Sequence, residues 1–345
     1  MRLSAMLAYA NDPQTTLNKA VEWERAGVDI LWVAEAYGFD APTLMGYLAA
    51  RTERVEIGSA ILPIYSRTPT LTAMTAAGLD QLTDGRFILG LGVSGPQVVE
   101  GWHGVPFDAP LARTRDVIEI CRSVWRRDRL EHHGSHYDVP LRAGQGTGLG
   151  KPLKLIDHPV RPAIPVYVAA MGPANVELAA SIADGWIPFL YIPERADAVW
   201  GDALARGGAN RPAALAPLEI VAGGPMAIGA DVAHLRERDR DHLALYIGGM
   251  GARGRNFYNS VVRQYGFEQE AAEIQDLYLD GRRGEAAARV PDALLEGASL
   301  IGDEPYLRDR LSAFAERGVT VIQVNPIGAD RLGDLLRLRE ILEVL

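Results

Sequence analysis

The sequence predicts an α/β fold of the (β/α)8 TIM-barrel class, on three observations. Short apolar runs alternate with longer stretches of helical period through the whole chain, the pattern of repeated βα units around a parallel sheet. Several of the runs are almost unbroken in their apolar character, as expected of strands buried on both faces. Ala26-Gly27-Val28-Asp29 and Arg317-Gly318-Val319-Thr320 mark one event near each end of the chain, a glycine stopping a helix just before a strand.

In order, the predicted strands are Arg2–Ala8, Asp29–Ala34, Val55–Leu62, Arg86–Leu91, Pro165–Ala170, Gly185–Leu190, Leu218–Ala222 and Val319–Val324. The helices between and after them fall at 14–26, 41–52, 68–83, 110–127, 173–183, 194–206, 304–317 and 330–343. Eight strands, each answered by a helix, favour a closed barrel over an open sheet. No linker separates two domains, so residues 1–345 read as one barrel domain. Two segments exceed ordinary loop lengths and read as insertions at the C-terminal mouth: 128–163, with a hairpin over Leu130–Val139 and a glycine-rich run, and 223–300, with helical patterns.

Composition narrows the function classes. A formal charge of −9 argues against nucleic acid or an anionic membrane as partner, and no apolar stretch approaches the length of a membrane span. The single cysteine, Cys121, lies among helix-spaced apolar residues and has no intramolecular disulfide partner, which fits a reducing, cytoplasmic setting. The N-terminus reads as a first strand and not as a signal peptide.

Several strand ends carry residues suited to chemistry. Trp32-Val33-Ala34-Glu35 places a carboxylate just past the second strand, where it is either a proton-transfer group or the partner of an arginine or a helix start. Asp40 reads as the cap of the helix near Pro42. Gly58, Ser59 and Ala60 leave room for a flat group or make a tight barrel layer, and Arg67 is either an anion contact or a solvated charge. Gly90-Leu91-Gly92-Val93-Ser94-Gly95 has the spacing of a dinucleotide fingerprint, but no strand with a terminal acidic residue follows at the required distance. The run reads instead as a loop that lets a ligand approach the backbone. Ala170-Met171-Gly172-Pro173 offers a helix start to an anion, or is a plain glycine turn before proline. His132-His133-x-x-His136 reads as a wet hairpin face with His133 and His136 on facing strands, so no metal is assigned. Trp102, His103, Tyr246 and Tyr258 either line a substrate pocket or pack the core.

Taken together, Trp32–Glu35, Thr83-Asp84-Gly85-Arg86-Phe87-x-Leu89-Gly90-Leu91-Gly92, Gly150-Lys151-Pro152-Leu153-Lys154, Ala169–Pro173 and Ala183-Asp184-Gly185-Trp186 resemble the luciferase-like monooxygenase superfamily over essentially the whole chain. Within it the chain is similar to the F420-dependent oxidoreductases of the methylenetetrahydromethanopterin reductase type. The resemblance implies a deazaflavin across the mouth, supported by a non-prolyl cis peptide at Ala60–Ile61. It implies contacts from Gly92, Val93 and Ser94 to the cofactor's chain, from Ala170, Met171, Gly172, Pro173 and Asn175 to its phosphate, and Glu35 near the ring as the catalytic group. The chain departs from the sugar-phosphate dehydrogenases of that branch, having Ala36 and Tyr37 after Glu35 and Gly95-Pro96-Gln97 in the strand-four loop.

The expected activity is hydride transfer between F420 and a small organic substrate in a cytoplasmic homodimer. An FMN-dependent monooxygenase of the same superfamily and a non-catalytic cofactor-binding barrel are the alternatives.

Overall fold

The computed structural model describes residues 1–7 and 12–345. The fold class is the predicted one, a closed barrel of eight parallel strands flanked by helices. The strands are β1 (Arg2–Leu7), β2 (Ile30–Val33), β3 (Glu56–Ser59), β4 (Phe87–Gly92), β5 (Val166–Ala169), β6 (Gly185–Ile187), β7 (Glu219–Ile228) and β8 (Val321–Pro326). Ala8, the predicted end of the first strand, lies outside the described residues. No helix among the described residues is long and apolar enough to cross a membrane.

Contacts divide the chain into two compact units, Met1–Met6 with Glu22–Asp29 and Ala170–Leu345, and Leu7–Val21 with Ile30–Ala169. In the first unit β7 pairs with β6 (Ile220 beside Trp186) and with β8 (Ala222 beside Ile322), and β8 pairs with β1 (Leu3 beside Ile322). In the second, β2, β3, β4 and β5 pair in sequence, with Ile30 beside Glu56, Ile57 beside Phe87 and Leu89 beside Val166. All of these pairings are parallel, and every residue of β2 and β4 is buried, as their unbroken apolar runs require.

Helix starts follow the local chemistry. Asp40, Thr68 and Asp303 cap the helices Ala41–Ala49, Pro69–Leu82 and Glu304–Glu316, accepting from the amides of Thr43, Leu71 and Tyr306. Gly27 and Gly318 take φ values of 86° and 79°, the left-handed stop expected at both positions.

Several strands differ from expectation. β7 runs to Ile228, although Gly223, Gly224 and Pro225 read as its end. A Cβ at Gly223 would lie 2.0 Å from the carbonyl oxygen of Gln323, so the glycine is demanded by close strand contact and not by a turn. The predicted third strand is broken into Glu56–Ser59 and Leu62–Pro63, with the cis Ala60–Ile61 peptide between them. A short strand, Leu300–Gly302, extends β7 by pairing with Met226–Ile228 and was not legible in sequence.

Candidate functional site

At the end of β2, Glu35 is held from two sides. Arg67 donates from Nη1 to Oε1 at 2.5 Å and from Nη2 to Oε2 at 2.7 Å, and the Ala41 amide at the start of the next helix donates to Oε2 at 2.8 Å. The side chains are 6% and 13% exposed, so this is a nearly buried bidentate pair. Both roles open to Glu35 besides proton transfer, arginine partner and helix-start acceptor, are present together. Arg67 also donates to Ser66 Oγ at 3.0 Å, so it is not a solvated charge.

The glycines of β3 and β4 let neighbouring groups press close against the strands. A Cβ at Gly58 would sit 2.2 Å from the Trp32 ring, and one at Gly90 would sit 1.7 Å from the Ser59 carbonyl oxygen. Ser59 Oγ bonds both the amide and the carbonyl of Gly90 at 2.8 Å, locking strand to strand at that level. At Gly92 an added Cβ would meet Ile61 Cγ1 at 2.8 Å and Ala169 Cβ at 3.5 Å. Ala60, Ile61, Val93 and Ser94 are half-buried around it, and Ser94 takes a φ of 58°. The result is a patch of mostly small residues in which Ile61 fills the space beside Gly92. The helix that follows, Pro96–Gly101, is a short turn capped by Gly95, so the glycine run does not build a dinucleotide fingerprint.

In the first unit, Ala170–Met171–Gly172 leads into the helix Pro173–Ile182. Gly172 caps it without a side-chain hydrogen bond, Pro173 has no amide to give and the Asn175 amide donates to the Gly172 carbonyl at 3.0 Å, which leaves the Ala174 amide for an outside acceptor. Two indoles fix the loop: Trp186 Nε1 donates to the Ala170 carbonyl at 2.9 Å and Trp200 Nε1 to that of Met171 at 2.8 Å. Sequence reasoning missed this duty, although Trp186 stood in the family phrase. Asn175 Oδ1 is buried with no hydrogen-bond partner among the described residues, the mark of a group that a bound molecule would satisfy. The helix start suits an anionic group, while the buried Asn175 Oδ1, an acceptor, calls for a donor on the bound molecule.

The remaining candidates separate. Trp102 is exposed and lies 6.4 Å from Tyr37. His103 Nε2 is buried without a partner among the described residues. The hairpin pairs His133 with Asp138, not with His136, because the strands are only two residues long and His136 falls in the turn, its amide donating to Asp116. His132 instead meets Asp116 and Glu119 on the helix Pro110–Trp125, a group whose ligand atoms lie within 4.8 Å of one another. Tyr246 and Tyr258 are brought together, with Phe189 and His242 beside them. Phe189 was placed inside the sixth strand by sequence, but that strand ends at Ile187. Pro188, which has no amide to give a ladder, was the available signal.

The fold is that of a barrel with candidate ligand contacts at its strand ends, and its relatives place it among the oxidoreductases. The luciferase-like monooxygenase family profile matches residues 1–321, and the chain belongs to this family. A Mycobacterium tuberculosis relative provisionally named a coenzyme F420-dependent oxidoreductase is 43% identical over 344 residues, covering 98% of this chain and 99% of the relative. The 5,10-methylenetetrahydromethanopterin reductase of Archaeoglobus fulgidus is 26% identical, covering 89% of this chain and 88% of its own. The solved coenzyme F420-dependent tetrahydromethanopterin reductase of Methanopyrus kandleri shares the fold with a TM-score of 0.80 at 22% identity, covering 99% of each chain.

Proposed function

We propose that this chain is an F420-dependent oxidoreductase acting on a small organic substrate. The observation that carries the reading is the 43% identity, over nearly the whole of both chains, to a relative named for F420; small residues at the strand ends around Gly92 accompany it. The same identity supports the deazaflavin over FMN. When bound, F420 supplies two-electron hydride chemistry at its ring.

The protein's own part is binding and orientation. Ala60 and Ile61 support the ring, Gly92, Val93 and Ser94 border the chain, and Ala170, Met171, Gly172, Pro173 and Asn175 take the phosphate. The helix start, capped by Gly172 without a side-chain hydrogen bond, supports that last assignment. Glu35, with both oxygens engaged, works through Arg67: it fixes the guanidinium at the strand ends. Releasing Glu35 as a proton carrier would break a nearly buried ion pair and leave the Arg67 guanidinium uncompensated.

A homodimer in the cytoplasm belongs to the same proposal by family analogy, and sedimentation of the purified protein tests the dimer. Fluorescence titration with F420 and with FMN tests the cofactor. Tighter binding of F420 is expected, and a preference for FMN moves the chain to the monooxygenase reading.

A further inference from the structure

Four aromatic side chains of the first unit form a box just past β6. Phe189 stacks on Tyr246 with ring centres 4.4 Å apart at 21°, and Tyr258 meets both edge-on at 5.1 and 4.7 Å. His242 closes one side, 4.7 Å from Tyr246.

The fold builds this box deliberately. Tyr246 lies in a single wide π-turn, Leu245–Gly249, a local widening that often accompanies functional sites. A Cβ on Gly248 or Gly249 would lie 2.4 Å from Tyr278, so the glycines let the turn press against the helix Glu268–Leu279. Asn256 Nδ2 then ties the Tyr246 carbonyl at 2.8 Å to the start of the helix Phe257–Gln264, which carries Tyr258. Phe257, next to it, lies against Gly172, where an added Cβ would meet its ring at 3.3 Å. The box thus adjoins the loop read above as the phosphate loop.

Its chemistry is that of a ligand wall and not of a closed core. Phe189, Tyr246 and Tyr258 are half-buried and His242 is exposed. Among the described residues neither phenol hydroxyl has a protein hydrogen-bond partner and neither is sealed from solvent, so both can reach a bound molecule. Burial, with Tyr246 as a lesser cause, pushes the Tyr258 hydroxyl up to about 12, so it is a neutral donor at physiological pH. Apolar faces with a few converging unpaired donors are the makeup of a small-molecule site.

We propose that the Phe189–Tyr246–Tyr258–His242 box is the substrate subsite, taking a planar ring compound with a carbonyl oxygen. The ring packs on the aromatic wall and the oxygen accepts a hydrogen bond from the Tyr258 hydroxyl. Calling the occupant a substrate rests on the F420 reading.

The test compares 1-indanone with indane, the same bicycle without its oxygen, by calorimetric titration of the purified protein, with F420 titrated in parallel by fluorescence. The native protein is expected to bind 1-indanone about fivefold or more tightly than indane, the effect of one hydrogen bond. Tyr258→Phe should bring that ratio to about one with F420 affinity unchanged, and Phe189→Leu should weaken both ligands about tenfold. Phe189→Leu keeps the bulk of the site, so it remains informative if Phe189→Ala does not fold. A ratio that survives Tyr258→Phe, or equal binding of both probes by the native protein, overturns the proposal. Indanone binding by a protein that does not bind F420 overturns the substrate assignment and the cofactor reading together, leaving a ligand box of another purpose.

Discussion

Arg67 grips both oxygens of Glu35, and the Ala41 amide claims one of them as well. Removing either partner leaves a nearly buried group uncompensated. Glu35→Gln is therefore expected to cost roughly 2–4 kcal/mol of stability, read by chemical denaturation. Arg67→Ala should cost a similar amount, with the double variant falling short of the sum because the two share one interaction. Unchanged stability with abolished turnover in Glu35→Gln would return the carboxyl to the role of proton carrier.

Gly92 offers a sharper separation of binding from folding. An alanine there meets the flexible end of Ile61 at 2.8 Å, whereas one at Gly90 meets fixed backbone at 1.7 Å. Gly92→Ala should fold and lose about tenfold or more in F420 affinity. Gly90→Ala should fail to accumulate as folded protein. Equal F420 binding by Gly92→Ala would remove this patch from the cofactor site.

The indole of Trp186 reaches back to the carbonyl of Ala170. Trp186→Phe keeps most of the packing and deletes that donor, leaving a carbonyl unpaired at a cost of about 1–3 kcal/mol. Its F420 affinity should fall while the far-ultraviolet spectrum stays native. A variant with unaltered F420 binding would show that the loop keeps its shape without the indole.

Alkaline stability follows from buried phenols. Burial is the largest cause that raises the hydroxyls of Tyr65, Tyr191 and Tyr258 from 10.0 to about 12. The folded value exceeds the unfolded one, so below about pH 10 their contribution is whole, and it declines as pH rises through about 12. Denaturation midpoints measured across that window should fall. Tyr65→Phe, which gives up the hydrogen bond to the Asp108 carbonyl, should fall less steeply. Parallel slopes for native and variant proteins would contradict this account.

What could be read in the sequence was local. Asp40, Thr68 and Asp303 announce helix starts because a cap is decided within a few residues, and the runs around Leu31 and Leu89 announce buried strands by composition alone. What escaped depends on partners far along the chain. Glu35 meets Arg67 across 32 positions, and Trp200 reaches Met171 across 29. The seventh strand was ended at Ala222 because glycines inside a strand are demanded by a close contact with Gln323 and Ala298, far along the chain. The aromatic box needed Phe189, hidden by reading Pro188 through as strand, and a π-turn that leaves no periodic trace around Tyr246.

The central claim is that this chain binds a deazaflavin, with the strand ends around Gly92 among its contacts. The most direct measurement is paired fluorescence titration of the purified protein with F420 and with FMN. The account predicts F420 binding about tenfold or more tighter than FMN, weakened by Gly92→Ala. Equal or tighter FMN binding, or binding of neither, would contradict it.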